Sequence, residues 1–180
     1  MRDIWNLGLK LFLIAAVAGL ALGVTNAVTA GPIAAQSALE ADQARRTVLP
    51  EAVSFEQTDA DGLDEAFLGL DGGGNVLGAT GKLTVSGYGG EIEVTVGMTK
   101  DGTIAGINVG GTNFKETAGL GAKTKDAAFT AQFAGETAPV ALRKDGGTID
   151  AVTSATISST ACTNAVNQIS AALTAVLSGR

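Results

Sequence analysis

Residues 91–109 read Glu-Ile-Glu-Val-Thr-Val-Gly-Met-Thr-Lys-Asp-Gly-Thr-Ile-Ala-Gly-Ile-Asn-Val. Glu91 to Val96 alternate polar and apolar, the period of a strand with one face in a core and one in water. Lys100-Asp101-Gly102 is a hairpin turn, and Thr103 to Val109 is its returning strand. Upstream, the apolar run Ala66 to Leu70 precedes Asp71-Gly72-Gly73-Gly74-Asn75, a turn tolerant of positive φ, and Val76 to Leu83 returns from it. The middle of the chain is therefore expected to be antiparallel strands on short glycine turns. Downstream the period becomes helical. Asp126 to Phe133 predicts a short helix, and Thr156 to Leu177 a long one with Ile157, Ala161, Ala165, Ile169, Leu173 and Val176 along one face. Sheet first and helices afterwards is an α+β pattern.

The N-terminal end has a different character. Leu11 to Val28 carry no charge, about the length a helix needs to cross the hydrocarbon of a bilayer. Arg2 and Lys10 precede the run, and no Lys or Arg comes after it until Arg45. That asymmetry keeps the N-terminus cytoplasmic and exports the remainder of the chain. Trp5 reads as an interface anchor at the cytoplasmic edge. A cleaved signal peptide is the competing reading, with Val28-Thr29-Ala30 as the cleavage site, though the run is long for one. A buried core helix does not fit a segment apolar on every face. Ile33 to Leu49, stopped by Pro50, predicts a short stalk helix. The expected organisation is 1–31 cytoplasmic end and anchor, 32–50 stalk, 51–180 extracytoplasmic domain.

Composition narrows the chemistry. The 180 residues hold 12 Lys and Arg against 18 Asp and Glu, a net charge of −6 that disfavours nucleic-acid binding. His is absent and Cys occurs once, at Cys162. His-based triads, His-containing zinc sites and multi-cysteine clusters are thereby excluded within the chain. Cys162 reads as a small buried hydrophobe. No charge lies inside the apolar run, so no ion path is legible there. What remains is hydroxyls, carboxylates, lysines or a bound cofactor.

The glycine-rich stretches fail the nucleotide patterns. Gly119-Leu120-Gly121-Ala122-Lys123-Thr124 lacks both P-loop glycines, with Ala122 and Thr117 in their places. Gly87-Tyr88-Gly89 has Ile92 where a dinucleotide fingerprint needs glycine. Asp150-Ala151-Val152-Thr153-Ser154-Ala155-Thr156 is more telling. Small residues lead into a helix whose first-turn amides, at Thr156, Ile157 and Ser158, offer a seat for a phosphate. A plainer reading is that Thr153 or Ser154 caps the helix.

Asp-x-x-Thr-Ser-Ala-Thr resembles the flavinylation motif of the FMN-binding domain family, Asp-x-x-Ser/Thr-Gly-Ala-Thr. Glu116-Thr117-Ala118-Gly119-Leu120-Gly121 resembles that family's Glu-Thr-Pro-Gly-Leu-Gly, and Gly87 to Gly90 also look like the family. With the anchor in front, the layout is similar to the G-subunit family of Rnf complexes, whose near relative is the C-subunit family of sodium-pumping quinone reductases. The shorter chain favours the former.

The resemblance implies an antiparallel-sheet FMN domain and FMN joined through its phosphate to the hydroxyl of Thr156 by a flavin transferase. It implies transferase recognition at Asp150, Thr153, Ala155 and Thr156. Cofactor contacts are implied at Glu116, Thr117, Gly119, Leu120, Gly121, Lys123, Thr153, Ser154 and Ala155. On residue chemistry alone, Glu116 and Lys123 could equally be solvated loop charges. The implied activity is electron transfer within a complex coupling ferredoxin and NAD to sodium or proton transport. Its implied partners are the A, B, C, D and E subunits of that complex, the flavin transferase and membrane lipid. Two departures stand out: Ser154 replaces glycine, and Ala118 replaces proline. Without a flavin the chain would read as a tethered, non-redox scaffold.

Overall fold

The structure, a computed structural model, describes residues 2–179; the side chains of Arg2 and Asp3 lie outside the described residues, as do Met1 and Arg180. Arg2, half of the charge asymmetry read from the sequence, is thus among the undescribed side chains.

The chain divides into two units, residues 1–39 and residues 40–180. In the first, helix α1 (Arg2–Val48) is exposed at every residue from 4 to 36. An 18-residue window reaches mean hydropathy 2.3 with none of it buried, long and apolar enough to cross a bilayer. Two of its hydroxyls bond back within the helix: Thr25 donates to the Ala21 carbonyl and Thr29 to the Thr25 carbonyl, each at 2.9 Å. The sequence reading separates an anchor from a stalk at Gly31-Pro32, whereas the structure has one continuous helix with Pro32 inside it. Proline lacks an N–H, so the Val28 carbonyl loses one helical donor while the neighbouring turns carry on.

The second unit is built on a five-stranded antiparallel sheet in sequence order: β1 (Ser54–Thr58), β2 (Glu65–Leu70), β3 (Val76–Ser86), β4 (Glu91–Thr99) and β5 (Ile104–Gly110). Four of these strands match the alternation and turn signals in the sequence. β1 is an addition to them; Ser-Phe-Glu-Gln-Thr is short, mostly polar and lies at the sheet edge. After β5 come a 3-10 turn (Gly121–Lys125), α2 (Ala127–Thr130) and a further 3-10 turn (Ala131–Phe133), where the sequence predicts one short helix. The long helix α3 (Thr156–Ser178) comes last.

One sheet face makes the core. Ala66, Leu68, Ala79, Ile92, Val94, Val96 and Met98 pack with Cys162, Ala165, Val166, Ile169 and Leu173 of α3. Each large apolar side chain so buried contributes about 1.5–3 kcal/mol before entropy is counted. Gly81 lets the helix close in: a Cβ there would lie 2.8 Å from Ile169 and 3.3 Å from Leu173. The buried side of α3 is corrected at its start. Ile157, expected on the core face, is 58% exposed, while Ser158 and Ser159 turn inward.

The opposite face is polar and receives the end of α1. Gly97 and Gly106 pair in register and leave room for Val48, whose carbonyl oxygen lies 2.2 Å from where a Gly97 Cβ would be. Arg45 stacks 4.1 Å over the Phe67 ring and donates to Glu65 at 3.2 Å; Lys82 reaches the same carboxylate at 2.9 Å.

Candidate functional site

The approach to α3 is tied down by side chains. Gln132 brackets Asp150, its Oε1 accepting the Asp150 amide at 2.7 Å and its Nε2 donating to the Asp150 carbonyl at 3.2 Å. Arg143 grips the Asp150 carboxylate through Nε at 2.6 Å and a second nitrogen at 3.1 Å, and these hydrogen bonds hold it below the usual carboxylate range. Further on, buried Ser159 reaches back. Its Oγ accepts from the Val152 amide and donates to the Ala155 carbonyl, both at 3.0 Å. Ser159 therefore fixes the turn from Val152 to Ala155.

That turn needs a left-handed residue, which is Ser154, at φ 61°. Among the described residues it is the one non-glycine with positive φ. This explains why the family pattern favours glycine there. The capping reading fails: Ala155 is the residue before α3, and no side chain caps the helix. Neither Thr153 nor Ser154 caps the helix. The helix instead begins with exposed Thr156 and leaves its first-turn amides open, at the positive end of a 23-residue dipole.

Glu116 joins the other side of the site to this helix. Its Oε1 accepts the amides of Tyr88 at 2.7 Å and Gly89 at 2.9 Å, and its Oε2 accepts the Ser158 hydroxyl at 2.8 Å. Glu116 is only 8% exposed, and its buried carboxyl group is met by three donors. Two glycines make room for it. A Cβ on Gly121 would lie 1.9 Å from Oε2, and one on Gly87 2.3 Å from Oε1. The solvated-charge reading of Glu116 is thereby overturned. Beyond it, the Thr117 carbonyl takes the amides of Leu120 and Ala122, each at 3.1 Å, and Gly119 turns the chain at φ 78°.

Together these elements enclose a groove of about 380 Å³ lined by Tyr88, Glu116, Thr117, Leu120, Gly121 and residues 154–158. Seven residues expected at the site line it: Glu116, Thr117, Leu120, Gly121, Ser154, Ala155 and Thr156. Asp150, Thr153, Gly119 and Lys123 are not lining residues; Asp150 and Gly119 shape the loops around it, and Lys123 is exposed on the 3-10 turn. Sequence reasoning missed Tyr88 as a wall residue, and named Ile157 and Ser158 for their backbone amides but not for their side chains. An isoleucine in the first turn of the helix and a tyrosine between glycines were the available signals.

The groove fits FMN in kind. Open helix amides suit a phosphate, and an aromatic ring with Leu120 and Ile157 suits a flat apolar ring. Residues 87–171 match the FMN-binding domain model. The chain is 38% identical to the G subunit of the Na(+)-translocating ferredoxin:NAD(+) oxidoreductase complex of Acetobacterium woodii, over 92% of this chain and 89% of the relative. It belongs to the G-subunit family of ion-translocating oxidoreductase complexes. The corresponding G subunit of Methanosarcina acetivorans is 31% identical over 92% of both chains. The fold of this G-subunit family member is also that of Shewanella oneidensis NqrC, with TM-score 0.51 at 17% identity, covering 73% of this chain and 74% of the other.

Proposed function

We propose that this chain is the flavin-carrying electron-transfer subunit of an Rnf-type complex that couples electron flow between ferredoxin and NAD to sodium or proton translocation. FMN supplies one- and two-electron chemistry, and the chain supplies placement and electrostatics. The observation that carries the reading is exposed Thr156 at the open, uncapped end of α3, on the wall of a groove that belongs to an FMN-binding domain.

Each residue then has a task. The Thr156 hydroxyl accepts the FMN phosphate as a phosphoester, made by a flavin transferase that reads Asp150, Thr153, Ala155 and Thr156. The first-turn amides of α3 hold the remaining negative charge of that phosphate. Arg143, Gln132 and Ser159 keep the acceptor turn in one shape. Thr117, Leu120, Ser154 and Ala155 contact the cofactor. Glu116 acts at one remove, holding the loop of Tyr88 against α3, and Gly119, Gly121 and Lys123 complete the facing loop. Residues 1–31 anchor the chain in the membrane lipid with the N-terminus cytoplasmic, residues 32–50 lead out, and residues 51–180 work on the extracytoplasmic side beside the A, B, C, D and E subunits.

Coexpression with the transferase, followed by denaturation, tests the linkage. The polypeptide should gain the mass of one FMN less one water, located on the peptide containing Thr156, and Thr156→Ala should lose it. An unmodified wild-type peptide from the native host sinks the assignment. A reporter fused at the C-terminus should be active only outside the cytoplasm, and cytoplasmic activity would reverse the orientation.

A further inference from the structure

Tyr88 lies on the groove wall with 72% of its surface exposed, although its backbone is among the most firmly held at the site. Its amide donates to Glu116 Oε1, the next amide donates to the same oxygen, and Gly87 N donates to Gly90 O at 2.8 Å to close the turn. A pinned backbone carrying an uncovered aromatic ring is not a core device, because the ring buries little. It is the arrangement of a contact residue whose partner is absent from the polypeptide itself. Tyr88 is the one aromatic residue among those lining the groove, and Leu120 and Ile157, 41% and 58% exposed, are its large aliphatic companions.

We propose that Tyr88 is a flavin-contact residue: its phenol ring packs on the isoalloxazine of the FMN carried at Thr156. This rests on the FMN reading above. Glu116 holds the backbone that carries this ring, through the amides of Tyr88 and Gly89. Aromatic stacking suits a planar ring system. A phenol in contact with a flavin also has an optical signature. The excited flavin takes one electron from the phenol and returns it on recombination, so nothing is oxidised overall and emitted light is lost.

The chain contains a single tyrosine and a single tryptophan, Trp5, which makes the signature assignable. The full chain, flavin-loaded by the transferase, is compared with Tyr88→Phe, Tyr88→Leu and, as a control, Trp5→Phe. In the folded state wild type and Trp5→Phe should be dim, with short emission lifetimes. Both Tyr88 variants should be several-fold brighter, because neither carries an oxidisable phenol. Tyr88→Phe, which keeps the flat ring, should retain the wild-type flavin absorption band, whereas Tyr88→Leu should shift it. After denaturation all four should emit equally per attached flavin. Unchanged folded-state emission in both Tyr88 variants, with flavin attached in full, overturns the contact but not the linkage. Absence of attached flavin in denatured wild type overturns the linkage, and the contact falls with it.

Discussion

Ser154 sits where the backbone must be left-handed, which costs a side-chain-bearing residue about 1–2 kcal/mol. Glycine avoids that cost but gives up about 0.5–1 kcal/mol of unfolded-state entropy. Ser154→Gly should therefore stabilise the fold by about 0.5–1 kcal/mol, read as a raised urea midpoint at constant slope. Asp150 carries a pH dependence. Arg143 keeps its folded pKa below the ordinary value, so its stabilisation is complete above that ordinary value and fades as pH falls through the folded one. The Tm gap between wild type and Asp150→Asn should accordingly close on acidification below about pH 4, the ordinary carboxylate pKa, and hold steady above it. Cys162 is buried, and burial pushes its thiol up to about 12. It should resist alkylation at pH 8 in the native chain and react once denatured. At this scale Thr156 and Glu116 were legible as residues that line the groove. The partners of Glu116 were not, since Tyr88 lies 28 positions and Ser158 42 positions away. Nor was the left-handed backbone at Ser154, or the absence of a side-chain cap on α3.

Strands β2 to β5 were legible because alternation and glycine turns are local signals, and the antiparallel order follows from short connections. β1 was not, because an edge strand with one face open needs little apolar pattern. Helix α3 was placed within a residue or so of its ends, but its first turn was misread: Ile157 fits the periodicity and yet faces the groove, while two serines take the inward positions. The lining of the groove departs from the helical pattern there. What covers the polar face of the sheet was invisible beforehand, since nothing in the sequence says that paired Gly97 and Gly106 admit the end of α1. That seat is testable. Gly97→Ala would set a methyl group 2.2 Å from the Val48 carbonyl oxygen, backbone that cannot swing aside as a side chain would. It should cost about 1–3 kcal/mol in denaturant unfolding, in line with overpacking elsewhere.

For the whole chain, the two units obey different solvents. The first leaves its apolar residues uncovered along the helix, and the second closes a core between sheet and α3. A chain starting at Glu40 should remain in the supernatant without detergent and unfold in one cooperative step, whereas the full chain should sediment with membranes. Failure of the shortened chain to fold would show that the core also needs residues before Glu40. The sequence carries one long uncharged run beside a charged, glycine-rich remainder, and its expected boundaries at 31 and 50 are not the boundary between the units, which falls at 39/40. The groove came from contacts between distant segments, so only its motif residues could be named in advance. Glu116 is lodged against Gly87 and Gly121, positions that matter for what they lack. Alanine scanning, which is designed to delete atoms, will add them at both places and push a methyl group into an occupied keyhole. The heaviest losses of stability at this site should therefore map to residues with no functional group of their own.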